Sequence, residues 1–318
     1  MLPMMSSRSH QDHDPGQTPK PRRKRRWLVM MFAVIVLAYG LRVLGTSPSN
    51  ARDWSPDQAR LAGITSLDPD RVRISNIRNA RYRTSQDYEL RWESREYDLS
   101  QVDSLWYVVE PFADWRGPAH SFLSFGFSNG QYLAVSVEIR KEQGESFSPW
   151  LGLVRSYEII YVLGDERDLI DLRANIRHDA VYLYPIKARP DQIRALLQSM
   201  LDRTNALART PEFYNTLTNS CASNIVDHVN AIWPSRIPFS YRTLLPALSD
   251  DLAYDIGLID TNLPAATYRE AHRINDLAAQ FRNLDTFSAG IRSRIRPSAA
   301  DTANASLPTP SASDSFGD

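Results

Sequence analysis

The segment Trp27–Gly45 constrains this chain more than any other feature. Its uninterrupted apolar part, Trp27 to Leu41, is 15 residues long; the whole segment holds no acidic residue and one basic residue, Arg42. It follows directly on Lys20-Pro-Arg-Arg-Lys-Arg-Arg26. Positive charge beside an apolar run sets membrane orientation, with the basic side kept in the cytoplasm. The run falls short of the roughly 20 residues that cross hydrocarbon, so Arg42 must snorkel while Val43 and Leu44 complete the span. A cleaved signal peptide shares the basic start and short apolar core. The sequence that follows, Gly45-Thr-Ser-Pro-Ser-Asn-Ala51, is a poor cleavage site, which favours a retained anchor. The expectation is a single-pass protein of a bacterial inner membrane, with its N-terminus cytoplasmic and everything after about residue 46 in the periplasm.

Charge follows the same division. The chain is formally neutral, yet residues 1–26 hold seven of the 37 Lys and Arg and only two of the 37 Asp and Glu. The basic run therefore reads as a membrane-orientation signal rather than a nucleic-acid patch. At 318 residues with 42% hydrophobic content, the exported part can build a real core. It is not held by disulfides, because Cys221 is the only cysteine.

The expected organisation is a basic cytoplasmic segment 1–26, a transmembrane helix 27–45, a linker 46–70, a globular domain 71–295 and a disordered tail 296–318. Within the linker, Ser55 and Pro56 suit the start of a short helix reaching Ala62. The domain begins with strand signals: Tyr88–Trp92, Ser104–Val109, two alternating segments between His120 and Arg140, and the stretch Tyr157–Val162. After Pro190 the apolar spacing becomes helical, with Ile193, Leu196, Leu197, Met200 and Leu201 on one stripe. A second helix should start near Cys221, and shorter ones after Arg242 and Tyr268. Beyond about Pro297 the composition lacks core-forming residues. The fold class is α+β, an antiparallel sheet packed with helices.

The hairpin 120–140 fixes a candidate site. A three-residue loop Ser128-Asn129-Gly130, with Gly130 left-handed, pairs Phe127 with Gln131 and sets Leu123 and Phe125 against Val135 and Leu133. A two-residue Asn-Gly loop would mix polar and apolar residues on each face. The first register puts His120 opposite Glu138, the arrangement of an imidazole oriented by a carboxylate. Cys221 follows Thr218, Asn219 and Ser220, all N-cap types, and precedes the apolar face Ile225, Val226, Val229 and Trp233. The thiol is thus expected in the first turn of a helix, out of an apolar pocket, with a lowered pKa and with backbone N–H groups able to cradle an oxyanion. Each feature has a plainer reading, a solvated polar pair for His120 and Glu138 and a small buried hydrophobe for Cys221. His228 stands seven residues on, about 10 Å along the helix axis, too far for direct contact with the thiol. His178 suits a loop, and His10, His13 and His272 lie in featureless segments. One Cys and scattered His supply no close ligand pair, so neither a metal nor another cofactor is expected.

These stretches resemble a known family. His120-Ser-Phe-Leu-Ser-Phe125, Val135-Ser-Val-Glu-Ile-Arg140, Tyr161-Val-Leu-Gly-Asp-Glu-Arg-Asp168 with Leu172-Arg173, and Tyr214-Asn-Thr-Leu-Thr-Asn-Ser-Cys221 occur in order as in the Lnb N-terminal periplasmic domain family, over roughly residues 75 to 235. The resemblance implies a circularly permuted papain-like (NlpC/P60-type) thiol fold, with His on a strand preceding Cys at a helix start. It implies thiol-dependent acyl chemistry, because one member is a lipoprotein intramolecular transacylase. Related permuted enzymes are acyltransferases, phospholipases or peptidases. This chain departs from the transacylase in having a single expected membrane segment.

The combined expectation is a catalytic set of Cys221, His120 and Glu138, with Asn219 or Tyr214 near the oxyanion and a membrane lipid or lipoprotein as substrate. Arg167, Arg173 and Arg177 are expected on a solvated surface, or else at an anionic head group. The alternatives are a cell-wall peptidase or amidase and a non-catalytic envelope scaffold. Nucleic acid is not expected as a partner, and the sequence does not name a protein partner.

Overall fold

The helix α1, Arg22–Gly45, contains the apolar segment. In the computed structural model, which describes residues 22–112, 118–233, 236–238, 240–244 and 246–295, its Arg26–Gly45 portion is 20 residues long with mean hydropathy 2.2 and is wholly unburied. At 1.5 Å per residue that is about 30 Å, the thickness of a bilayer's hydrocarbon core. Residues 1–21 and the tail 296–318 lie outside the described residues.

The chain divides into two compact units, Met1–Thr46 and Ser47–Asp318. Of the segment 46–70, expected to be a linker, all but Thr46 belongs to the second unit: Trp54, Gln58 and Ala62 are buried, and the indole of Trp54 lies 4.2 Å from the Arg140 guanidinium. The expected helix there is a single 3-10 turn, Pro56–Gln58, with Pro56 at its first position.

Among the described residues ten strands follow: β1 Gly63–Ser66, β2 Arg71–Arg78, β3 Arg81–Tyr82, β4 Tyr88–Glu89, β5 Trp92–Asp98, β6 Val102–Pro111, β7 Ala119–Phe127, β8 Tyr132–Arg140, β9 Glu158–Gly164 and β10 Tyr182–Pro185. The principal sheet runs β1-β2-β9-β8-β7-β6-β10, with β5 also on β2; β3 and β4 form a separate ribbon. All principal pairings are antiparallel except a single parallel bridge, Arg78 to Gly164. The expected Tyr88–Trp92 strand is split between β4 and β5. The latter, Trp-Glu-Ser-Arg-Glu-Tyr-Asp, is an outer strand whose charged residues pair across it, as Arg73 with Glu96 at 2.6 Å.

The described helices of the second unit are α2 Pro149–Gly152, α3 Glu166–Asp171, α4 Pro190–Arg209, α5 Cys221–Ile232, α6 Tyr241–Leu244, α7 Ser249–Asp255, α8 Tyr268–Ala271, α9 Asn275–Gln280 and α10 Phe287–Gly290. Side chains alternate across a strand, so the sheet has two faces and two cores. Leu123, Phe125, Leu133, Val135, Val137 and Ile139 share one core with the α4 stripe and with Cys221, Ile225 and Val229 of α5. Phe122 and Ala134 point the other way and pack with Leu169 and Ile170 of α3, Leu277 of α9 and Phe287 of α10.

The hairpin adopts the three-residue loop. Gly130 has φ +82° and donates to Phe127 O at 2.8 Å, while Phe127 N donates to Gln131 O at 3.0 Å. Leu123 pairs with Val135 and Phe125 with Leu133.

Candidate active site

The ladder between β7 and β8 stops at Leu123 and Val135. Both strands continue, β7 held to β6 as far as Ala119–Pro111 and β8 held to β9 as far as Arg140–Glu158. The hairpin therefore opens at its far end, and a cavity of about 150 Å³ lies there. Cys221, Tyr214, Val137 and Ile139 reach it from one face of the sheet, and His120, Glu138, Arg173 and Glu110 from the other. Four of the five expected site residues thus line one cavity.

Asn219 does not line it. Its Nδ2 donates to Phe213 O at 2.9 Å and its Oδ1 accepts from Asn224 at 2.8 Å. These bonds, with the two-way backbone pairing of Asn215 and Asn219, shape the turn that delivers Cys221 to α5. Ser220 caps that helix: its Oγ accepts from Ser223 N at 3.3 Å, and Ser223 Oγ accepts from Ser220 N at 2.8 Å. Cys221 is the first residue of α5, as the capping pattern requires.

The thiol's environment differs from expectation. Cys221 is buried in the sheet-helix core, and burial pushes its pKa up, opposed by hydrogen bonds from Ser121 and from the first α5 amides. Desolvation outweighs the helix N-terminus because the core side chains exclude water from the sulfur. Burial also pushes His120 down to about 3, with Arg173 adding to the effect and Glu138 opposing it. At neutral pH Cys221 therefore rests as a thiol and His120 as a neutral imidazole. Among the described residues no hydrogen bond joins Sγ to the ring.

His120 Nε2 lies 3.8 Å from Glu138 Oε1, beyond direct bonding, and Ser136 bridges them. The Ser136 hydroxyl donates to Glu138 Oε1 at 2.9 Å and contacts His120 Nε2 at 2.7 Å. A hydroxyl has one proton, so the second contact is Nε2–H donating to Oγ. That assigns the tautomer and leaves Nδ1 as the basic nitrogen. Glu138 also accepts from Arg173 Nη2 at 3.1 Å and from Gln58 Nε2 at 3.3 Å. Burial disfavours its charge, but Arg173, Arg78 and His120 hold its carboxyl well below the usual carboxylate range.

Arg173 is correspondingly not on the surface. It is buried, donates to Glu110 Oε2 at 2.7 Å and Leu169 O at 2.7 Å, and lies over the Phe122 ring. Glu110, opposite His120 on β6, is pushed up to about 7 by burial against the pull of Arg173 and Arg177. Arg177 stays partly exposed, 3.5 Å from Glu110 Oε1. Arg167 donates to Leu284 O at 2.5 Å and stacks over Phe287. His228 is bound up elsewhere, between Tyr161 at 2.8 Å and Ser199 at 2.8 Å.

Sequence reasoning missed Ser136, Gln58 and Glu110. Ser136 was the most accessible of them, since it stands two residues before Glu138 and so on the same face of β8. Among the described residues no group of three or more His, Cys, Asp and Glu is placed to hold a metal ion.

The model of the Lnb N-terminal periplasmic domain matches residues 88–247, half of the chain, a span that includes His120, Glu138 and Cys221. The chain belongs to the Lnb N-terminal periplasmic domain family. No curated protein and no solved structure matches it. As a member of that family with one apolar helix ahead of its globular unit, it is a membrane-associated protein with a periplasmic domain.

Proposed function

We propose that this Lnb-family protein is a membrane-anchored thiol acyltransferase or hydrolase acting on an acyl ester of the cell envelope, a lipid or lipoprotein. The observation carrying this reading is the convergence of Cys221, His120 and Glu138 on one cavity, with Ser136 bridging the last two. The order of His on a strand before Cys at a helix start agrees with a permuted papain-like arrangement.

In this mechanism the Cys221 sulfur attacks the ester carbonyl as His120 Nδ1 takes its proton. The S–C bond forms, the ester C–O bond breaks, and the imidazolium returns the proton to the leaving alkoxide. An amine or water then attacks the thioester, loses a proton to His120 and releases the thiol. Because the thiol sits high and the imidazole low, proton transfer accompanies attack rather than preceding it. Glu138 and Ser136 keep Nε2 protonated and stabilise the transient imidazolium. Tyr214 lines the cavity with a hydroxyl held neutral by burial, suited to donate to the oxyanion. An aliphatic cavity of about 70 Å³ also lies beside α5, lined by Leu105, Leu123, Ala222, Ile225 and Val229.

The test is mass spectrometry of the full chain incubated with envelope phospholipid and with a synthetic lipopeptide. A thioester on Cys221 that accumulates when the acceptor amine is withheld, and is absent in His120→Ala, supports the reading. A Cys221 that stays unmodified with both donors, while the variant and native proteins melt alike, refutes it.

A further inference from the structure

We propose that the aromatic rim of the cavity rests on the surface of the lipid bilayer, so that the site opens toward lipid. Two observations within the globular unit carry this. The first is a cluster of exposed apolar side chains. Phe147 (42% exposed), Trp150 (78%), Leu151 (46%) and Leu217 (51%) stand out from a globular unit whose other large apolar groups are mostly buried. They are joined to the cavity and to each other. Phe147 lines the cavity, with its ring centroid 6.2 Å from that of Phe112, another lining residue. Pro149 O accepts from Thr216 Oγ1 at 2.8 Å, which ties α2 to the turn carrying Leu217. Gly152, closing α2, abuts the ring of Tyr214, a further lining residue.

The second observation is where the chain enters this unit. Ser49 N donates to Glu158 Oε1 at 3.0 Å, and Arg52 pairs with Glu158 at 2.8 Å and Glu142 at 3.1 Å. Ser55 N donates to Lys141 O at 2.9 Å and Gln143 N to Asp53 O at 2.9 Å. The first residues of the unit therefore clasp both ends of the loop between β8 and β9, the loop that bears Phe147, Trp150 and Leu151. A chain advances at most about 3.6 Å per residue, and only Thr46 separates the apolar helix from Ser47. The start of the unit is thus tied to the end of the apolar helix by a single residue, and the loop it clasps is the one that bears the rim.

An exposed Trp and Phe beside aliphatic side chains is the composition that settles at the lipid–water boundary. Charge contributes little: residues 141–157 hold Lys141 and Arg155 against Glu142 and Glu145. The contact is apolar, so it should persist in zwitterionic lipid and in high salt.

The experiment uses the full chain with Cys221→Ala, reconstituted into phosphatidylethanolamine–phosphatidylglycerol vesicles and, separately, into phosphatidylcholine vesicles. An environment-sensitive fluorophore is placed on Trp150→Cys, Leu217→Cys and, as reference, Leu284→Cys, an exposed leucine associated with the opposite core. Labels at 150 and 217 should emit at shorter wavelength than the label at 284, and doxyl-labelled lipid should quench them in both vesicle types. Water-like emission at 150 and 217 overturns the proposal. A short-wavelength emission that lipid does not quench also overturns it, and assigns the rim to protein contact with a second copy. Neither readout depends on catalysis, so failure here is distinct from failure of the proposed chemistry.

Discussion

The buried pair Glu138–Arg173 gives a quantitative test of the site's electrostatics. Their closest atoms are 3.1 Å apart, with side chains 14% and 5% exposed. At an effective dielectric near 20, unit charges about 4 Å apart attract by about 4 kcal/mol before desolvation is subtracted. Removing one partner from a buried pair costs about 3–5 kcal/mol because the other charge is stranded. Here Arg173 also holds Glu110 at 2.7 Å, so Glu138→Ala does not strand the guanidinium. We therefore expect a loss at the low end, about 3 kcal/mol, and a coupling of about 2 kcal/mol in the cycle with Arg173→Met. Urea unfolding of the full chain in detergent micelles measures both. The same variants should move the His120 imidazole in opposite directions, down for Glu138→Ala and up for Arg173→Met, followed by NMR of the ring protons. A coupling below about 0.5 kcal/mol, or an unmoved imidazole, refutes the network.

Three further outcomes follow. Alkylation of Cys221 by iodoacetamide should rise through alkaline pH with no plateau below neutrality, since burial raises the thiol; a plateau near pH 5 would contradict the buried site. Between pH 6.5 and 4 the unfolded chain binds protons at His120 and His228 that the folded chain refuses, because their folded values are about 3 and about 4. Their stabilisation is complete above the unfolded value and is lost as pH falls, by roughly 2–3 kcal/mol per pH unit for the two together; His228→Gln should shallow the slope in a melt series. Gly130→Ala meets no neighbouring atom but holds φ at +82°, so it should cost about 1–2 kcal/mol of backbone strain while the cross-strand pairing of Leu123 and Val135, read by NMR contacts, is kept.

What the sequence by itself determined rests on short-range physics. The apolar length of α1 marks a helix long and apolar enough to cross a membrane. The Ser128-Asn129-Gly130 loop and strict alternation settle the hairpin register, because a one-residue slip would turn every apolar side chain to the wrong face. Pro190 and the apolar stripe give α4, and the Ser220 cap places Cys221 at the start of α5. Only tertiary structure could decide the rest. The early end of the β7–β8 ladder depends on β6 and β9 pulling the strands apart, and it opens the cavity to residues from both faces. Burial of Cys221 depends on α4, α5 and the sheet closing around it, which reverses the pKa direction expected from a helix N-terminus alone. Arg173 looked like surface, yet Glu110 and Glu138, 63 and 35 residues away in the chain, make its burial tolerable. Local patterns report what a side chain prefers, whereas desolvation and ion pairing depend on which distant segments surround it.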